Sequence, residues 1–316
     1  MNNKFINRDI TKRQNFIFKK ILRLLLILVT LGGVGFLSFY FINKNLENKI
    51  TLKTIKSSWE SYDYQAVYEN GKAFLQENPF NNTALTYYSY ACFYLAVAQN
   101  DTSLAENYLD ECINNLRIAM YDASSSLLPQ LQYMLGKAYF YKNTVSTYYY
   151  SDLSVKYLNL AKENGYKADD IPEYLGLSYA ALGMPMESIS AFSEALLIRE
   201  SDTLLFSIAE QYYKAKQNNA SKQYLYRVIQ NNQDDELVQK SRILLGNIYL
   251  EEKDFENAEK EFNNVLLINK NSADAHYGIG VIYEQQGNIA KARAEWRSAL
   301  KIQVNHPGAL KKLSDK

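Results

Sequence analysis

The constraint that most limits what this chain can fold into is a repeat of fixed length near its C-terminal end. Residues 239–272 (QKSRILLGNIYLEEKDFENAEKEFNNVLLINKNS) and 273–306 (ADAHYGIGVIYEQQGNIAKARAEWRSALKIQVNH) align without a gap over 34 positions. Leu245-Gly246 returns as Ile279-Gly280, Tyr249 as Tyr283, Ala258 as Ala292, Phe262 as Trp296 and Val265 as Ala299. Within each copy these residues recur at three- and four-residue spacings on two stripes, the periodicity of two amphipathic helices. The stretch between the stripes, Glu251-Glu252-Lys253-Asp254, is wholly charged and is expected to be a solvent-facing turn. Small residues such as Gly246 and Ala258 let the two backbones approach, while Tyr249 and Phe262 fill the space beside the contact.

The pattern runs back through the chain. One hairpin carries Leu175-Gly176, Tyr179, Ser188, Phe192 and Ala195. Another carries Ile208-Ala209, Tyr212, Ser221, Leu225 and Val228, followed by a spacer, Glu236–Val238. Further back, Leu135-Gly136 and Tyr139 are followed six residues late by Ser154, Leu158 and Ala161, with Asn143–Tyr150 (NTVSTYYY) as an insertion. Ala91, Tyr94, Ala105, Leu109 and Cys112 mark an earlier hairpin, and Ile55, Trp59, Ala66 and Ala73 a degenerate first one that ends at Pro79. Residues 307–316 are expected to start a short capping helix.

A 34-residue period with small and aromatic residues in these places resembles the tetratricopeptide repeat (TPR) family. The resemblance covers about residues 51–306 and implies an all-α TPR solenoid of about seven helical hairpins. Each hairpin in such an array covers its neighbour, so one continuous core grows along the stack.

Ahead of the array, Leu24–Ile42 (LLLILVTLGGVGFLSFYFI) is an uncharged run of 19 residues. As a helix it spans about 28 Å and matches the hydrocarbon core of a bilayer. The run is long for a cleaved signal peptide, and no A-x-A-like site follows it before Asn43, so an uncleaved transmembrane helix is expected. Residues 1–23 hold seven Lys and Arg against the single Asp9, which places the N-terminus in the cytoplasm and the repeats across the membrane. Residues 43–50 read as a stalk. The layout is that of a single-pass inner-membrane protein with a periplasmic body, in contact with lipid through residues 24–42.

Little in the chain suggests chemistry. The net charge is +1, and with the basic N-terminal segment set aside the body is mildly acidic, without a nucleic-acid footprint. The two histidines, His276 and His306, have no ligand spacing, and neither a phosphate-binding loop nor a nucleophile elbow is present. Paired carboxylates such as Glu251-Glu252 and Asp234-Asp235-Glu236 read as solvated turns. No metal, cofactor or enzymatic activity is expected. Cys92 and Cys112 fall in the two helices of one hairpin, where either a disulfide or two buried thiols is compatible with an extracytoplasmic body.

The resemblance also implies a working surface, a groove lined by the first helix of each hairpin that holds a peptide or a partner's helix. Carried over position by position, its lining is Tyr88, Leu95, Tyr133, Lys137, Phe140, Tyr141, Phe206, Tyr213, Ile243, Leu250 and Tyr277, with Glu210 and Asn247 in the same pattern. Tyr133, Phe140, Tyr141, Phe206 and Tyr213 are the expected apolar anchors. The Lys and Asn clamp that chaperone-binding members of the family use on a terminal carboxylate is not assembled by the scattered Lys137, Lys214 and Asn247. The expectation is a membrane-anchored scaffold for other proteins in a bacterial envelope complex. Its layout is similar to that of TPR proteins of the spirochete periplasmic flagellar collar; a cytosol-facing receptor or import adaptor is the alternative.

Overall fold

The structure, a computed structural model, describes residues 50–231 and 234–314 together with Gly33. The described residues form fifteen α-helices and no strand. They fall into two compact units that divide after Glu77.

In the first unit, helix α1 (Leu52–Glu60) and helix α2 (Tyr64–Glu77) form one hairpin. Thr51 and Thr54 cap α1 reciprocally, each side chain accepting from the other's backbone N–H. Val67 and Gly71 are buried, whereas Ala66 and Ala73 are half-buried. The packed stripe of α2 is therefore turned slightly from the one the alanines suggested.

The second unit holds six hairpins and a final helix: α3 (Asn82–Val97) with α4 (Thr102–Tyr121), α5 (Leu128–Val145) with α6 (Ser151–Glu163), and α7 (Ile171–Ala181) with α8 (Pro185–Ile198). They continue as α9 (Asp202–Lys214) with α10 (Asn218–Asn231), α11 (Asp235–Glu251) with α12 (Phe255–Ile268), and α13 (Ala273–Gln285) with α14 (Ile289–Ile302), ending on α15 (Pro307–Ser314). The core is continuous from one hairpin to the next. Ala258, Phe262 and Val265 of α12 pack on Ala275, Ile279 and Ile282 of α13, and Phe192 and Ala195 of α8 on Leu204 and Ile208 of α9. At the end Trp296 and Ala299 share a cluster with Ala309 of α15.

The small residues do what their positions imply. A β-carbon on Gly176 would lie 2.3 Å from the Phe192 ring, one on Gly246 2.7 Å from Phe262, and one on Gly280 2.4 Å from Trp296. Helix α5 and helix α6 show the same joint with a smaller partner, since a β-carbon on Gly136 would lie 2.7 Å from Leu158.

The turns inside the last four hairpins share one geometry. Gly183, Lys216, Lys253 and Gly287 all have φ between 60° and 81°. In each case the next residue's N–H returns to a tyrosine carbonyl: Met184 to Tyr179, Gln217 to Tyr212, Asp254 to Tyr249 and Asn288 to Tyr283, at 2.8–3.0 Å. This is the left-handed helix stop that satisfies the last carbonyls of the first helix. In these four hairpins the periodic tyrosine thus marks the last turn of the first helix as well as filling space, whereas α5 runs on past Tyr139 to Val145.

Two sequence expectations are corrected. The insertion at Asn143–Tyr150 is only partly a loop, because α5 continues through Val145 and leaves Ser146–Tyr150 as the connection. The spacer Glu236–Val238 is the first turn of α11, since Asp234 caps that helix by accepting from Glu236 and Leu237, and Leu237 and Val238 are buried. The expected basic segment, the transmembrane helix 24–42 apart from Gly33, and stalk residues 43–49 lie outside the described residues. Among the described residues no helix is long and apolar enough to cross a membrane.

Candidate functional site

First helices lie beside first helices along the stack, α3 against α5, α5 against α7, α9 against α11 and α11 against α13. Their outward side chains therefore form one surface, and the expected groove residues sit on it in two different states.

Toward the N-terminal end the surface is filled by its own side chains. Lys137 on α5 reaches Asp170, the residue before α7, with Nζ 2.9 Å from Oδ2, and Tyr133 donates to the same carboxylate at 2.8 Å. The ammonium also lies 4.8 Å from the Tyr174 ring centre, 5.1 Å from Tyr133 and 5.8 Å from Phe93. A cation over aromatic faces and against a carboxylate gains from both. Phe140 meets Tyr174 edge-on at 4.9 Å, and the Tyr141 and Tyr174 hydroxyls are 3.1 Å apart. Burial holds the Tyr133 phenol well above its ordinary range, reinforced by the hydrogen bond to Asp170. Tyr174 is raised likewise, by burial first and then by its bond to Tyr141. These aromatics tie α3, α5 and α7 together. Tyr88 takes no part in an open surface: it is buried, and its hydroxyl donates to Glu111 of α4.

Toward the C-terminal end the surface opens. A cavity of about 660 Å³ is lined by Phe206 and Glu210 of α9, Ile243, Leu244 and Asn247 of α11, and Asn269 and Asn271–Asp274 leading into α13. Phe206, Glu210, Ile243 and Asn247 are groove positions of the repeat, and the fold brings all four together. Tyr213 stands outside this cavity and donates to Glu251 at 2.5 Å; burial, helped by that carboxylate, pushes its phenol up to about 12. Leu250 packs partly into the core below, and Tyr277 against the ring of His306 at 5.0 Å. Leu95 is half-buried.

Repeat logic missed Leu244, Asn269 and Asn271–Asp274, and Ile302 and Gln303 at the end of α14. They come from helix ends and connections, which the 34-residue pattern leaves variable. The paired carboxylates Glu251 and Glu252 are exposed, and each has a surface partner: Glu252 accepts from Lys222 at 2.8 Å and Glu251 from Tyr213. Of the tyrosine-rich insertion, Tyr148 and Tyr149 are exposed, while Tyr150 folds back and stacks on Tyr139 at 6.0 Å. Cys92 and Cys112 stand as free thiols, each buried in its own helix.

No group of three or more metal-ligating side chains occurs among the described residues. His276 bonds to Glu295 and His306 to Asp274, one pair each.

Helix pairs stacked in one direction, joined by glycine-on-aromatic contacts and presenting a first-helix surface, define a TPR-like helical solenoid. Residues 179–310 match the family model of the tetratricopeptide repeat protein 21 C-terminal ARM domain. Among solved structures, the C-terminal part of a TPR repeat-containing protein from Cytophaga hutchinsonii superposes with a TM-score of 0.55 at 12% identity, covering 83% of this chain and 99% of that one. A tetratricopeptide repeat protein from Parabacteroides merdae gives a TM-score of 0.48 at 14% identity, covering 83% of this chain and 96% of the other. YrrB, a TPR protein with an unusual peptide-binding site, gives 0.47 at 22% identity over 63% of this chain and 97% of its own. No curated protein sequence matches.

Proposed function

We propose that this chain is a protein-interaction scaffold whose binding surface is the C-terminal half of the first-helix face. The observation that carries this reading is the contrast between the two halves. Lys137, Tyr133, Phe140 and Tyr141 are occupied by Asp170 and Tyr174. Phe206 and Ile243 instead line an open cavity of about 660 Å³, within the size range of concave binding sites.

The finer reading is a scaffold anchored by residues 24–42 with its N-terminus in the cytoplasm and its array in the periplasm, helping to assemble or stabilise an envelope complex. A periplasmic flagellar collar is one such assembly. What supports the anchor is the uncharged 19-residue run and the basic flank before it. A cytosol-facing receptor is the competing arrangement, and a C-terminal phosphatase fusion, active only outside the cytoplasm, separates the two.

The surface itself is tested by photocrosslinking in cells. A photoreactive amino acid at Phe206 or Ile243 is expected to yield a discrete adduct with another polypeptide, and the same group at exposed Leu267 of α12 to yield none. Identical adduct patterns at all three positions would remove the claim.

A further inference from the structure

Resting on the reading of this face as a binding surface, we propose that its occupant is a polypeptide segment that places a lysine or arginine beside a large aliphatic or aromatic residue, with the cation on Glu210.

The charges around the cavity are the argument. Lys240 is committed to Glu236 at 2.6 Å, and Asp274 accepts from the Nε2 of His306 at 3.1 Å. The tautomer of that histidine is fixed, because its Nδ1 accepts from the Ala309 N–H. Glu210 remains: it lines the cavity and has no hydrogen bond or ion pair with any described residue. Burial pushes its carboxyl up, and Lys214 and Lys240 act against that from a distance without bonding to it. A half-buried carboxylate with no partner is a standing free-energy cost that a ligand cation removes.

The molecule also contains the filled counterpart of this arrangement. Lys137 follows Gly136 by one residue as Glu210 follows Ala209, so the two occupy the same place in their repeats. At Lys137 an ammonium, the Asp170 carboxylate and three aromatic rings are all supplied by the chain. At Glu210 the described residues supply the carboxylate and the apolar wall of Phe206, Ile243 and Leu244, but no cation bonded to it. The alkyl stem of a ligand lysine or arginine lies well on such a wall while its head reaches the carboxylate. An acidic segment sets like charge against Glu210, since the lining cation Lys240 is already paired with Glu236.

The test pans a phage-displayed library of random twelve-residue peptides on the full-length chain in detergent micelles, beside the variants Glu210→Gln, Glu210→Lys and Ile243→Asp. Circular dichroism of each variant checks that the helices are retained. The wild type is expected to enrich peptides with Lys or Arg within two positions of Leu, Ile, Phe or Tyr. A synthetic copy of the most enriched peptide should bind Glu210→Gln at least about tenfold more weakly. Glu210→Lys should select Asp or Glu in place of the basic residue, and Ile243→Asp should enrich nothing. Enrichment that depends on Ile243 but carries no basic residue, or is unchanged in Glu210→Gln, overturns the assignment of the cation and leaves the surface standing. No enrichment on the wild type, or equal enrichment on Ile243→Asp, overturns the surface and with it this inference.

Discussion

The ring of Phe262 lies against the bare backbone of Gly278 in the next hairpin, so close that a β-carbon there would stand 2.4 Å from its Cζ. The other face of the contact is Gly246 in its own hairpin, where a β-carbon would stand 2.7 Å from the ring. Phe262 is fully buried and has no free side toward which to move. Gly278→Ala and Gly246→Ala are therefore each expected to overpack the joint and destabilise by about 1–3 kcal/mol. Urea titration followed by far-ultraviolet circular dichroism reads the loss, and an unshifted midpoint in both variants would show that the ring can be displaced cheaply.

The left-handed stops offer the opposite sign. Gly183 and Gly287 occupy the position comfortably, whereas Lys216 and Lys253 hold φ of 60° with a β-carbon present. Replacing Lys253 with glycine removes backbone strain of about 1–2 kcal/mol, partly offset by the greater freedom of glycine in the unfolded chain. Lys253→Gly should raise the urea midpoint by a net of roughly 0.5–1 kcal/mol. Lys216→Gly should gain less, because it gives up the contact of its ammonium with Glu251 at 3.6 Å. A lower midpoint for Lys253→Gly would count against the strain argument.

Lys137 and Asp170 join two hairpins, so breaking the pair should be felt locally. The lysine side chain is 16% exposed and the aspartate 37%, which places the pair between surface and core. Lys137→Met leaves Asp170 and the Tyr133 hydroxyl without their cation and should cost about 1–3 kcal/mol, discounted from a fully buried pair by the exposure of Asp170. In an array with nearest-neighbour coupling the loss should appear as faster amide exchange in α5 and α7, with α13 and α14 unchanged. Uniform loss of protection along the chain contradicts that picture.

Burial pushes the Cys112 thiol up, in the direction that keeps it neutral. Both cysteines should resist a thiol-specific reagent in the folded chain at alkaline pH and react at once in denaturant. Linkage follows in sign: the folded-state value lies above the unfolded one, so this contribution to stability is complete below the unfolded thiol value of about 8.5 and is lost as pH rises beyond it. The raised tyrosines Tyr90, Tyr133 and Tyr174 add to the same trend above about pH 10. A urea midpoint that stays level from neutral pH upward would refute the trend.

Much of the architecture was legible because the repeat is a local signal. Gly246 and Phe262 stand sixteen residues apart, as do Gly280 and Trp296, and Gly176 and Phe192. In the structure each glycine carries its aromatic partner on its backbone. Such pairs fall at fixed offsets because one hairpin closes on itself, and the sequence alone determines that these helices pair and stack. Two features hid behind the same regularity. The insertion and the spacer read as loops, yet Val145 extends α5 and Asp234 starts α11 ahead of the repeat boundary.

What only the tertiary structure decided is which groove positions face each other and which face open space. Lys137 and Glu210 hold equivalent places in their repeats, but Lys137 finds Asp170 in the next hairpin and Glu210 finds no bonding partner among the described residues. That difference depends on the residue a neighbouring hairpin sets opposite, across more than thirty positions of chain for Lys137 and Asp170. A hydrophobic period fixes which face of a helix is covered, because burial acts on the whole face at once. It does not fix individual polar partners, because a hydrogen bond or ion pair depends on the placement of single atoms.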